Sequence, residues 1–141
     1  MVTEIMSFGS WSKIYASLDP RDQGAIAVHF HVHPDTLKGW LRELSVLRNM
    51  CAHQARVWNR SFPPAELYEP DPLTHALQTN SYRPVRAENS LAPRIYAMHY
   101  LLDTLGNQQW RKGLSLINRF KPYSLLHLGF LDGWENQPEW Q

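Results

Sequence analysis

Cysteine is almost missing from this chain, and Cys51 is the only one. A single cysteine can close no intrachain disulfide and cannot build a thiolate zinc site, and it fits a reducing compartment. Long apolar runs are also missing. No stretch of about 18 apolar residues occurs, and Met1-Val2-Thr3-Glu4 has no basic region leading into an apolar one. The sequence thus carries no signal for a membrane span or a secretory leader, and a cytoplasmic protein without membrane contact is expected. Net charge is small, at +1 over 141 residues, which argues against a protein wrapped by duplex DNA. No alternating strand pattern, internal repeat or low-complexity segment is found.

What remains is helical spacing. The length is that of one domain, long enough to bury roughly two-thirds of its unfolded surface, and six tryptophans supply bulky core material. Ile5, Phe8, Trp11, Ile14, Tyr15 and Leu18 follow a helical period over residues 3–18, and Gly9 inside that segment points to a bend or a close contact. Asp19-Pro20 reads as an N-cap and first turn, opening a short helix to about His31. Pro34 opens a long helix, expected to run to about Ser61 and to stop at Pro63-Pro64.

Residues 62–90 are proline-rich and aperiodic, an irregular loop with one helical turn expected near Leu73 to Gln78. Helical spacing returns at Leu91 to Leu105 and at Gln108 to Phe120, with Gly106-Asn107 as the turn. Residues 121–141 read as a C-terminal cap and tail. The class is all-α, an antiparallel helical bundle forming one domain over residues 1–141.

The long helix carries the chemistry. At about 100° per residue, Trp40, Leu44, Leu47, Cys51, Ala55 and Trp58 form an apolar stripe directed to the core. Asn49, His53, Arg56 and Arg60 follow i, i+4, i+7, i+11 spacing on the other side, with Arg42 beside them. Arg48 and Asn59 fall on the border, in line with Ala52 and Ala55, where small residues admit another helix. Arg48 is expected to be partly desolvated there, and its fork to grip a phosphate. Arg42, Arg48, Arg56 and Arg60 are opposed only by Glu43, and Arg83, Arg86 and Arg94 form a second basic patch opposed by Glu88.

Such a strip suits cleavage of RNA by its own 2′-hydroxyl. That reaction needs a proton acceptor, a proton donor and positive charge on the non-bridging oxygens. A histidine supplies one proton transfer, and a second copy from another chain would supply the other. Spacing alone is weak evidence. Ten arginines and seven histidines give about half an Arg-x4-His match by chance, and Arg94 to His99 matches as well. The plainer reading is a solvated basic face.

The longer string Arg-Asn-x-x-Ala-His-x-x-Arg-x-x-Asn, here Arg48 to Asn59, is more specific. It resembles the abortive-infection (Abi-like) family of phage-defence proteins, of the HEPN superfamily of helical ribonucleases. Ser7-Phe8-Gly9-Ser10-Trp11-Ser12-Lys13, Ile95-Tyr96-Ala97 to Leu101-Leu102, and Leu128-Gly129-Phe130 with Trp134 resemble further landmarks of that family. The resemblance implies a HEPN-like bundle and a metal-independent endoribonuclease that needs no cofactor, acting on RNA as a homodimer with the motif helix at or near the interface. It assigns catalysis to Arg48, His53 and Asn49, the last orienting one of the other two. It assigns RNA contact or site support to Arg56, Asn59 and Arg60. An antitoxin or a phage-derived trigger would be a further partner. Proteins of that family are longer, with another helical region upstream, so a non-catalytic RNA-binding or interaction module is the alternative.

Other residues weigh less. His29, His31 and His33 alternate, but no carboxylate or thiolate accompanies them, so capping near Pro34 is favoured over a metal. His75 and His127 are isolated. Tyr96, Tyr100 and His99 read as core. Trp134 and Trp140 cover the end of the bundle rather than stack on bases, and Cys51 on the core face is expected to be inert.

Overall fold

The computed structural model describes residues 7–53, 56–57, 60–63, 89–107, 109–110, 112–113, 128–130 and 134–136. These residues form an all-α bundle, with no strand among them. Helix α1 spans Phe8–Ser17, α2 Pro20–His29, α3 Pro34–Ala52 and α4 Ala92–Thr104, and Trp134–Asn136 forms a short 3-10 turn. Within Gln108 to Phe120, residues 110, 112 and 113 are helical. The turn expected at Leu73 to Gln78, and Trp140, His75 and His127, lie outside the described residues.

The first three helices start where a capping side chain accepts from a free amide. The Ser7 hydroxyl accepts from Ser10 N–H at 3.2 Å, and the Asp19 carboxylate accepts from Arg21 N–H at 3.0 Å, one residue before Pro20. His33 Nδ1 accepts from Asp35 N–H at 3.3 Å, just before Pro34. The capping role expected of that histidine cluster therefore falls to His33, and no three His, Cys, Asp or Glu side chains gather in metal-binding geometry among the described residues. No described helix is long and apolar enough to cross a membrane.

Helix α3 is the spine. It packs against α1, α2 and α4, and Leu37, Trp40 and Leu44 enter the core with Tyr15, Ala27, Tyr96, Ala97 and Leu101. Trp40 meets Tyr96 edge-on at 6.4 Å and Tyr100 at 5.4 Å, which accounts for both tyrosines as core. Gly9 makes the close contact expected of it, since a Cβ there would sit 3.0 Å from Ser45 Oγ of α3. The buried Tyr15 hydroxyl donates to the carbonyls of Gln23 (3.0 Å) and Pro34 (3.3 Å), tying the first three helices together. Gln23 reciprocates through Nε2, which donates to the carbonyls of Tyr15 and Leu18 at the end of α1. A second core of Ala92, Leu128, Phe130 and Trp134 closes the start of α4, so Trp134 covers the bundle's end as expected. Gly129 makes this possible. Its φ of 86° and a Ser90 Oγ lying 1.9 Å from any added Cβ admit no side chain.

The long helix ends earlier than its composition predicts. It stops at Ala52 instead of near Ser61, with His53 as C-cap. The cause is tertiary. The buried Arg94 guanidinium donates to both the Glu43 carboxylate and the Pro63 carbonyl, which must therefore lie together. Twenty residues of unbroken helix would hold them about 30 Å apart. The chain instead folds back, burying Phe62 beneath the guanidinium at 4.5 Å, and Phe62 N–H donates to the Asn89 carbonyl at 2.8 Å.

Candidate functional site

The final turns of α3 carry Arg48 and Asn49, both exposed, and His53 follows as the exposed C-cap. Arg48 Nη1 donates to Asn49 Oδ1 at 3.2 Å, so the asparagine orients the arginine. His53 N–H donates to the Asn49 carbonyl at 3.0 Å, which keeps His53 in helical register one turn beyond Asn49. Five residues of helix separate Arg48 from His53 by about 140° around the axis. A ligand touching both must therefore lie across the rim of the helix end.

Several expectations are corrected here. Arg48 is exposed rather than partly desolvated, and Cys51 is exposed rather than on the core face. Both follow from the chain's departure at His53: Ala52 is exposed, so no helix closes on it among the described residues. Arg56 and Arg60 are exposed but lie beyond the helix, so the four-residue polar stripe is cut after His53. Asn59, Ala55 and Trp58 lie outside the described residues.

Charge around the site also differs from the expected balance. Glu43, expected to oppose the motif arginines, is buried and bonded to Arg94. Arg42, Arg48, Arg56 and Arg60 stay exposed, and no carboxylate pairs with them among the described residues. Arg94 itself belongs to no basic patch. It is 1% exposed, with Nη1 donating to the Ser90 carbonyl at 2.7 Å. Burial pulls its guanidinium below the usual arginine range, and Glu43 opposes that pull. Arg83, Arg86 and Glu88 lie outside the described residues.

The second Arg-x4-His match separates cleanly from the first. His99 is buried, its ring 3.7 Å from that of Trp110 and 6.0 Å from that of Tyr96. Arg94 and His99 are thus packing elements, whereas Arg48 and His53 face solvent. Sequence reasoning missed the Arg94–Glu43 pair. The available signal was Glu43 itself, three residues from Trp40 and four from Leu47 on the apolar side of its helix.

Beside the motif, α3 and α4 leave an apolar groove of about 700 Å³, which Phe8, Ile26 and Phe30 also line. Arg48 and Cys51 lie on its wall, and Arg48 is the sole charged lining residue among those described.

Residues 1–59 match the family model described as Abi-like protein, a region that takes in α1 to α3 and the whole motif string. No curated protein and no solved structure gives a significant match.

Proposed function

We propose that this chain is a metal-independent endoribonuclease of the HEPN type, acting in abortive infection, with Arg48 and His53 of two copies lining one RNA cleft. Similarity of its first 59 residues to Abi-like proteins supports the defence role. One structural observation carries the chemistry. Arg48, Asn49 and His53 sit exposed at the end of α3, and the nearby Glu43 is bound to Arg94. Arg48 has no carboxylate partner among the described residues, and such an arginine can hold the non-bridging oxygens of a phosphodiester.

In this reading one imidazole takes the proton of the ribose 2′-hydroxyl, and that oxygen attacks the adjacent phosphorus. The bond from phosphorus to the 5′-oxygen breaks, and the leaving oxygen takes a proton from the imidazole of the second copy. The products are a 2′,3′-cyclic phosphate and a 5′-hydroxyl. Arg48 stabilises charge on the phosphorane oxygens, Asn49 holds Arg48, and Arg56, Arg60 and Asn59 contact flanking RNA. An antitoxin or a phage-derived trigger would set when the site is open.

The decisive experiment is cleavage of labelled RNA in EDTA by the wild type, Arg48→Ala and His53→Ala. Cleavage by the wild type alone, leaving cyclic phosphate ends, supports the proposal. No cleavage by a folded dimer rejects it. The second reading, a non-catalytic RNA-binding or protein-interaction module, draws on the apolar groove beside Arg48.

A further inference from the structure

The groove between α3 and α4 has a regular construction. On α3 it is lined by Leu37, Leu41, Leu44, Leu47, Arg48 and Cys51, and all but Leu47 follow a spacing of four, three, four and three residues. On α4 and its two caps the lining residues are Leu91, Ile95, Met98, Leu101, Leu102 and Leu105, and all but Leu101 repeat the same spacing. Each stripe follows one side of its helix for about 21 Å. Two such stripes side by side form the holes into which a third helix of about four turns sets its knobs.

The groove is open to solvent. Leu105 is 60% exposed and Met98 39% exposed, although Leu37 and Leu44 at its floor are buried. The lining offers almost no hydrogen-bonding groups, so a nucleobase or a sugar seated there would lose its partners in water. A helix would not, because its backbone amides are satisfied internally. Among the described residues the one lining charge is the Arg48 cation, and no acidic residue lines the groove.

We propose that this groove docks an amphipathic helix of a partner protein, with Leu, Ile or Phe at three- and four-residue spacing and an Asp or Glu at the end that meets Arg48. Apolar burial along the stripes supplies the affinity, and the carboxylate fixes the direction of the bound helix. A carboxylate on Arg48 would also withdraw the cation from RNA. That consequence, inhibition of cleavage, rests on the proposed ribonuclease reading, whereas docking does not.

The probe is a displayed library of single helices of four turns, randomised along one face and selected on the intact chain. Selected peptides are then titrated by fluorescence anisotropy against the wild type, Met98→Glu, Leu105→Glu and Arg48→Glu. All three substituted positions are solvent-exposed, and folding of each variant is checked by circular dichroism. The expected selection is enriched in Leu, Ile and Phe at three- and four-residue spacing with an acidic residue at one end. Binding should fall at least roughly tenfold in Met98→Glu and Leu105→Glu. Arg48→Glu should weaken acidic peptides and restore binding of their lysine-swapped versions. The proposal is overturned by a selection without this pattern, by unchanged binding in the groove variants, or by self-association of the chain that Met98→Glu disperses. Because anisotropy reads binding without RNA, a chain that binds the peptide but cuts nothing would remove the ribonuclease reading and leave the docking site standing.

Discussion

Arg94 donates a hydrogen bond to the carboxylate of Glu43 across 51 positions of sequence, and both side chains are buried. The pair fastens α4 to the spine helix and at the same time removes from the surface the carboxylate that lies nearest the motif in the sequence. Fold and site charge are therefore set by one contact.

Breaking that pair from one side should be costly. Arg94→Ala or Glu43→Ala leaves an uncompensated buried charge and should lose about 3–5 kcal/mol in urea denaturation. Replacing both by Met and Leu should cost much less than the sum of the single changes. Additive losses would mean that the pair is not coupled.

The two Arg-x4-His matches should respond in opposite ways. Arg48→Ala and His53→Ala, at exposed positions, should keep stability within about 0.5 kcal/mol while abolishing the proposed RNA cleavage. His99→Ala, which empties the space against Trp110, should lower the unfolding midpoint. Equal stability losses at His53 and His99 would contradict the burial difference between them.

The helical start of the motif was legible because its signals are local. Proline in the first turn marks α2 and α3, and the bounds of α4 follow from the spacing that begins at Leu91 and the turn at Gly106-Asn107. The end of α3 was not legible, since Ala55, Arg56, Val57 and Trp58 are acceptable in a helix. The break is imposed by Arg94, which gathers Glu43 and the Pro63 carbonyl from opposite sides of it. The same long-range contact hid the charge of the site, because no local rule says which arginine a glutamate will meet. Arg48, Asn49 and His53 could be picked out by residue type and order, but the exposure of Arg48 depended on where the helix stopped.

Gly9 and Ser45 should show coupling in a double-mutant cycle. Alanine in a helix is worth about 1 kcal/mol over glycine, yet at Gly9 its Cβ would press on Ser45 Oγ. Gly9→Ala should gain more in a Ser45→Ala background than alone, as read from denaturation midpoints. Gly9→Leu should destabilise in both backgrounds.

Stability should fall at alkaline pH in a way that depends on Tyr15. Burial, reinforced by Asp35, raises its phenol pKa above the usual value of 10.0. The folded state then holds the proton more tightly than the unfolded state, so this contribution is complete below about pH 10. It is lost as the pH climbs from there through the folded-state pKa. Tyr15→Phe should lose about 1 kcal/mol at neutral pH, from two hydrogen bonds to carbonyls, and should decline less steeply above pH 10. Identical slopes for both proteins would show that other groups govern the alkaline limb.

Gly129→Ala should be among the harshest small substitutions. It forces a side chain onto a φ of 86° and into Ser90, at a cost of about 1–3 kcal/mol from backbone strain alone. Ser90→Gly should relieve the collision but not the strain, so rescue in thermal unfolding should be partial.

The hydrogen bond from Phe62 N–H to the Asn89 carbonyl has a consequence for how this chain can diversify. Residues 62 and 89 are held side by side although 27 positions separate them in the sequence. Doubling the length of such a stretch adds only about 0.6 kcal/mol of closure entropy. A change of chain length between these two positions therefore carries a small closure cost as long as the contact between Phe62 and Asn89 is kept.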